Sequence, residues 1–574
     1  MKKIYILFVL GLTVASCGKS FLETKPQATI SQDQLLTTKG VEAALIGAYG
    51  LMNGNISGTW GNYSSAPSQW LFGEVAGDNA HKGSSNTDQS TMNDIELHKP
   101  NSANDQLPAM WTNYFEGVLR CNATINLLKA VQEGSSSDKF SDDRAKQIEA
   151  EARMLRAHYY FYLRRVFGNV PYIDETISTT DATKVKNGEN LYPKIEADLQ
   201  FAVQALDYTK PLGDRGRVDK LAAEAYLGKV YLYQKKYAEA LTLFKDVIAH
   251  KPDLTTMDFR NNFSIAGEGG PEGLFVDENI INPDGSGDNA NVGDMLAGGY
   301  GTAPVSCCGF YQPSVDLVNA FKVNADGLPY LDGSYRNNTY KSDQGLVDKK
   351  GDSAKTNYKV DTTIAFDPRV DYTVGRRGVP YRDWGIFPGD AWIRDPAFGG
   401  PFVSKKQQID KAEFAGNTVS GGEYITALDV NIIRLADVYL MAAECAIETG
   451  NLKDALDWVN AVRKRAANLP GLRVNNKAVA RYNVKTYPSF PNADYARNAV
   501  RFERRLELAL EGQRFFDLVR WGTAKTVLES YMTFEKQYVA ASATINFNAR
   551  DTIFPIPQQE LDRAPGILTQ NGGY

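Results

Sequence analysis

The 574-residue chain is poor in cysteine and histidine and carries no surplus of positive charge. Its five cysteines form no Cys-x-x-Cys pair, which argues against a zinc site and thioredoxin-like chemistry. The four histidines, His81, His98, His158 and His250, lie far apart, and no His-Glu-x-x-His occurs. No Gly-x-Ser-x-Gly elbow or phosphate-binding loop is present. A net charge of −5 without a block of Lys and Arg gives no electrostatic footprint for nucleic acid. Past the N-terminus, no run is long and apolar enough to be a transmembrane helix. Aromatics are plentiful, with 30 Tyr, 26 Phe and 7 Trp, and serve packing first and ligand stacking second.

The N-terminus reads as a leader. Lys2 and Lys3 form a positive n-region, and Ile4 to Val14 is an apolar stretch too short to span a bilayer. Ala15 and Ser16 then lead into Cys17, the pattern of a bacterial lipoprotein signal. Residues 1–16 are therefore assigned as a signal peptide and Cys17 as the lipidation site, with 17–40 as anchor and tether. Each buried CH₂ of an acyl chain contributes roughly 0.8 kcal/mol, so several chains hold a soluble body on a membrane. Of the other cysteines, Cys121 and Cys445 lie in helical patterns and read as buried thiols. Cys307 and Cys308 are adjacent, with Cα atoms about 3.8 Å apart, below the usual range for a bridge. Their pairing is left open.

Helical periodicity dominates two parts of the chain. Ile148, Ala152, Leu155, Tyr159, Tyr162 and Val166 form one apolar stripe, stopped by Gly168 and Pro171. Leu191 to Leu206 suggests a second helix. Leu227, Gly228 and Tyr231 followed by Ala240 and Phe244 match the tetratricopeptide helix pair. A weaker copy has Leu435, Val438, Ala442 and Cys445, with Gly450 ending one helix and Ala455 packing the next. Between roughly Asp253 and Gly422, turns rich in Gly, Asn, Asp and Pro interrupt this pattern, outside PSVDLVNAF. The expected organisation is a helical part at 41–253, a loop-rich ligand-binding insertion at 254–422 and a second helical part at 423–574.

Glu503, Glu507 and Glu511 recur at steps of four and so share one helix face. Like charges there destabilise an isolated helix by roughly 0.2–0.5 kcal/mol per pair. Arg434, Arg463 or Arg465 is expected to offset them, which makes the cluster a structural ion network rather than a catalytic one.

Several strings together resemble the SusD/RagB family of outer-membrane lipoproteins. They are CGKSFLETKP, WTNYFEGVLRCN, EARMLRAHYYFYLRRVFGNVP, PSVDLVNAF followed by Asp326 and Gly327, Asp367-Pro368-Arg369, IIRLADVYLMAAE, ELALEGQRFFDLVRWG and FPIPQQELDRAPGILTQNGGY. The resemblance implies a mainly α fold of tetratricopeptide-like repeats carrying a variable, irregular binding part. It implies a non-enzymatic binder of oligosaccharides or polysaccharides, lipid-anchored in the outer membrane at the cell surface, that serves a SusC-like TonB-dependent transporter. One departure is that Gly18, Lys19 and Ser20 follow the anchor cysteine, where relatives often carry acids; Glu23 is the first.

A sugar ring offers C–H groups on its faces and hydroxyls at its edges, so aromatic platforms flanked by polar side chains are the expected contacts. Loops over a rigid frame commonly carry binding. The candidates outside the helical stripes are Trp60, Tyr63 and Trp70, then Tyr300, Phe310 and Tyr311, then Trp384 and Trp392. Asp78 and His81 are candidate edge contacts. No catalytic residue, metal ligand or cofactor is assigned, and a structural calcium ion is left open. The rival readings are a surface glycoside hydrolase, which needs paired carboxylates beside the aromatics, a peptide-binding RagB-like protein, and a scaffold that binds only proteins.

Overall fold

The computed structural model describes residues 35–56, 62–305, 307–340, 358–539 and 545–574. Cys17 and Trp60 lie outside them. The frame is a series of stacked helices: α1 (Thr38–Tyr49), α2 (Gln106–Glu133), α3 (Asp142–Phe167), α4 (Tyr192–Ala205), α5 (Lys220–Tyr233), α6 (Tyr237–Ala249), α7 (Leu435–Glu448), α8 (Leu452–Ala467) and α9 (Ala493–Glu507). From α2 to α8 each packs on its successor, α1 covers α2 and α3, and α9 lies against α7 and α8. The fold is mainly α, with short strands.

Local chemistry explains the elements. Ser141 caps α3 by accepting from the Arg144 amide, Asp142 and Asp143 occupy its first turn, and Arg164 and Arg165 its last, each charge complementing the helix dipole. Gly168, at φ 78°, ends it. Small residues admit large ones where helices meet. A Cβ on Gly117 of α2 would press on the Tyr159 ring of α3, and one on Gly228 of α5 would press on Phe244 of α6. The second contact is the interlock that the repeat spacing predicts. Gly450 closes the turn after α7 at φ 84°, and Ala455 is fully buried between α8 and its neighbours.

The insertion is stitched into this frame. Strand β1 (Ala80–Gly83) runs antiparallel to β3 (Phe310–Pro313), with His81 opposite Gln312. Strand β2 (Gly273–Asp277) runs antiparallel to β4 (Val430–Arg434), which leads directly into α7. One hydrophobic core takes in side chains from Val41 to Ile556, including Phe310, Tyr311 and Phe366 of the insertion. Burying such a ring stabilises the fold by about 1.5–3 kcal/mol. A smaller cluster of Tyr381, Phe387, Ile393 and Val403 makes the 381–403 segment a lobe with its own interior.

Only Glu503 and Glu507 share the face of α9. The helix ends at Glu507 and Leu510 turns to φ 63°, so Glu511 lies past it, contrary to the expected three-residue face. The three acids nonetheless have the predicted arginine partners and more. Arg463 meets Glu503 at 2.7 Å, Arg434 meets Glu507 at 2.7 Å and Glu511 at 2.8 Å, and Arg465 pairs with Glu507. Arg369 adds bonds to Glu503, Glu507 and Asp367, while Lys406 reaches Glu511 and Arg465 reaches Glu272. Five acids thus face five bases, nearly all inaccessible to water. The cluster is a structural ion network. Among the described residues no helix is long and apolar enough to cross a membrane.

Candidate functional site

The structure separates the predicted site residues into interior and surface groups. Trp70 is buried, donates its indole N–H to the Gly293 carbonyl at 3.1 Å, and packs on Phe310 and Tyr311. Those three aromatics belong to the core because the β1–β3 pairing folds two distant loops onto each other. Asp78 is also buried, bound to Arg514 at 2.6 Å and to Arg505 at 3.2 Å; these arginines hold its carboxyl well below the usual range despite burial. His81 lies between Glu96 at 2.8 Å and Glu535 at 2.9 Å. Burial opposes its charge, but the hydrogen bonds its ring N–H groups donate to the two carboxylates push its pKa up to about 10. The expectation of ligand contact is therefore corrected for Trp70, Asp78, His81, Phe310 and Tyr311: each has its surface or polar atoms committed inside the protein.

Tyr300 and Trp392 come together at the surface. The Tyr300 amide donates to the Trp392 carbonyl at 2.8 Å, and the Tyr300 side chain is 37% exposed. Arg394 lies over the Tyr300 ring, 5.1 Å from its centroid, and donates to Ser84 Oγ at 3.0 Å and to the Asp88 carboxylate. Half-buried Trp392 is supported edge-on by Tyr381 at 5.5 Å and Phe387 at 5.6 Å, so the lobe interior fixes its orientation. Beneath runs Gly309, at φ 74°, where a Cβ would stand 3.3 Å from Tyr300 Cβ and 3.5 Å from Arg394 Cβ. Its neighbours Cys307 and Cys308 are joined as a disulfide between adjacent residues, the pairing left open by the sequence.

Tyr63 is half-buried and packs against the main core. Burial raises its hydroxyl pKa, and so do the negative charges of Asp105 and Asp88. Lys82, under the platform, donates to the Ser85 and Asp88 carbonyls, and desolvation lowers its pKa to about 8. Thus Ser84, Asp88 and Arg394 are additional polar residues at the platform. Arg394 was legible only as a cation two positions from Trp392; Ser84 and Asp88 carried no sequence signal. Trp384 faces elsewhere, donating to the Ile409 carbonyl at 2.9 Å and meeting Phe414 edge-on.

A separate cleft of about 350 Å³ lies beside β2. There Arg215 meets Glu278 at 3.0 Å, Asp429 at 3.2 Å and Glu268 at 3.6 Å. Burial raises Glu268 to about 7 and Asp429 to about 8. No Trp or Tyr lines this cleft, and it shares no residue with the Tyr300 platform. Among the described residues no group of three or more His, Cys, Asp or Glu is placed to hold a metal ion.

A frame of stacked helical pairs carrying irregular loops with aromatic and polar residues defines a class of proteins built on helical repeats. Comparison with known proteins narrows the class: residues 271–574 match the SusD family, and residues 20–232 match a second family described as starch-binding, associating with the outer membrane. The chain belongs to the SusD family. It is 27% identical over 591 residues to SusD-like protein P2 of Formosa agariphila, with both chains fully covered. Starch-binding protein SusD of Bacteroides thetaiotaomicron is 26% identical over 458 residues, covering 76% of this chain and 75% of that one. Among solved structures, a laminarin binding SusD-like protein superposes with a TM-score of 0.66 at 22% identity, covering 94% of this chain and 100% of that one. Surface glycan-binding protein A of Bacteroides thetaiotaomicron, in complex with laminarihexaose, gives 0.65 at 21%, covering 93% and 99%. These superpositions establish the shared fold.

Proposed function

We propose that the protein is a non-catalytic, lipid-anchored outer-membrane protein that captures an oligosaccharide or polysaccharide and passes it to a SusC-like TonB-dependent transporter. The observation that carries the reading is the Tyr300–Trp392 platform with Arg394 and Asp88 at its edge. Aromatic side chains at the surface can bury the C–H side of a sugar, while a guanidinium and a carboxylate bond its hydroxyls. The rigid helical frame presets that geometry, which lowers the ordering cost of binding. Family membership and the starch, laminarin and glycan named for its relatives support a glycan as ligand. The acids Glu268 and Asp429, whose pKa burial raises, lie in the Arg215 cleft, which shares no residue with the Tyr300 platform, an arrangement that favours binding over hydrolysis there.

The test is affinity electrophoresis of the soluble Gly18–Tyr574 form in gels containing laminarin, soluble starch, xylan or pectin. Retardation by one glycan, recovered at its original chain length, supports capture. Shortening of that glycan would establish a hydrolase, and absence of retardation across the panel would overturn glycan capture. Membrane fractionation of the full chain and Cys17→Ala tests the anchor, and co-purification with a barrel transporter tests delivery.

A further inference from the structure

A second concavity lies on the other flank of the 381–403 lobe. It is an open groove of about 580 Å³, within the range of small-molecule sites. Phe263, Tyr372 and Leu472 supply its apolar lining, and Arg260, Arg382 and Asp383 its polar lining. The aromatic position is fixed, because the Tyr372 hydroxyl donates to the Pro470 carbonyl at 2.7 Å. The polar groups are fixed as well. Arg382 bonds Asp410 at 3.0 Å, Arg260 pairs with Asp258 at 2.6 Å, and Asp383 accepts from the Ala412 amide at 2.9 Å.

We infer that this groove is a second carbohydrate subsite, which holds a distal stretch of the same glycan chain bound at the Tyr300 platform. The inference rests on the glycan-capture reading. Its chemistry points to a neutral sugar: ring and aliphatic surface faces planar polar groups, and both arginines are already paired with carboxylates, so no uncompensated cation selects an anion. The lobe connects the two sites. Trp392 packs on the lobe interior beside the platform, whereas Trp384 packs on it next to Arg382 and Asp383. A long chain engaging both flanks gains from effective concentration, because its second contact is intramolecular.

Ala412 is exposed and lines the groove, so Ala412→Trp fills the groove without removing a side-chain contact. Ala266→Trp, at a second exposed lining position, does the same from another loop. Wild type and both variants would be titrated calorimetrically with laminari- and malto-oligosaccharides of two to ten residues and with laminarin and soluble starch. The expected result is that affinity rises with chain length in wild type, that both variants lower the affinity of long chains about fivefold or more, and that short chains are unaffected. Wild-type affinity of both variants for every bound chain length would overturn the second subsite while leaving capture at the platform intact. If wild type binds none of these glucans, the second subsite for a neutral glucan is overturned together with glucan capture.

Discussion

The guanidinium of Arg394 lies 5.1 Å from the centroid of the Tyr300 ring and joins two loops more than ninety residues apart. The same guanidinium binds Asp88 and Ser84, so three separated segments meet at one exposed ring. A cation over an aromatic face contributes about 0.5–1 kcal/mol at exposed sites, enough to orient the ring but too little to hold the fold. Tyr300→Ala and Trp392→Ala are each expected to weaken glycan affinity about tenfold, equivalent to about 1.4 kcal/mol. Arg394→Ala should cost about threefold to tenfold. Titration with the retarded glycan, beside thermal melts showing little loss of stability, checks the assignment. Unchanged affinity in all three variants would remove the platform from the binding site.

The frame was legible in the sequence because its signals are local. Gly228 and Phe244, sixteen residues apart, encode a helix–helix contact, and the spacing of Glu503 and Glu507 on α9 demands the arginines that answer it, whereas the turn that carries Glu511 off the helix was not legible. The binding surface was only partly legible. Tyr300, Phe310 and Tyr311 occupy one Gly-rich stretch, yet Tyr300 is at the surface and the other two are in the core. What separates them is the pairing of β1 with β3, a contact across some 230 residues that no local pattern records. Asp78 and His81 were misread for a related reason: their partners Arg505, Arg514 and Glu535 lie over 400 residues away. Polar residues in a loop look solvated until those partners are in place.

His81 bridges Glu96 and Glu535, and Glu535 also accepts the Val315 and Asp316 amides at the start of a short helix. Its folded pKa of about 10 exceeds the ordinary value of 6.5. Its stabilisation is therefore complete below about pH 6.5 and is lost as pH rises toward 10. His81→Gln should destabilise the protein by about 3–5 kcal/mol near pH 6, the usual effect of removing one partner from a buried charge pair. The gap between wild type and variant should narrow steadily from pH 6.5 to 10. Denaturant unfolding at several pH values measures it, and a gap independent of pH would show that the imidazole is not charged in the fold.

Glu507 has the opposite dependence. Burial opposes its charge, but Arg465, Arg434 and Arg369 hold its carboxyl well below the usual carboxylate range. A depressed folded pKa contributes stability above the ordinary value near 4.5 and loses it as pH falls through the folded pKa. Glu507→Gln leaves buried guanidinium groups short of a counter-charge and should cost about 3–5 kcal/mol at pH 7. That cost should shrink progressively below pH 4.5, where the unfolded wild-type chain takes up a proton that the folded carboxylate does not. Urea titrations at pH 7 and pH 3.5 compare the two conditions.

Gly73 and Gly512 mark a crossing of two backbones that no side chain could enter. Gly73 sits in the wide π-type turn Trp70–Val75, and a Cβ there would collide with the Gly512 carbonyl. Gly512, at φ 71°, would place a Cβ against the Ser68 carbonyl. Both obstacles are backbone, so neither yields by rotating a side chain. Gly512→Ala therefore combines a left-handed conformation, costing about 1–2 kcal/mol, with a clash that must displace the chain beneath Trp70. Gly450→Ala is the control: it shares the positive φ, at 84°, but has nothing within 4 Å of the added methyl. The control should lose only the conformational part, a few degrees of Tm at most, whereas Gly512→Ala and Gly73→Ala should lose several times more or fail to accumulate as folded protein. Equal losses at Gly512 and Gly450 would mean that backbone conformation alone, rather than the close crossing, selects glycine beneath the Trp70 turn.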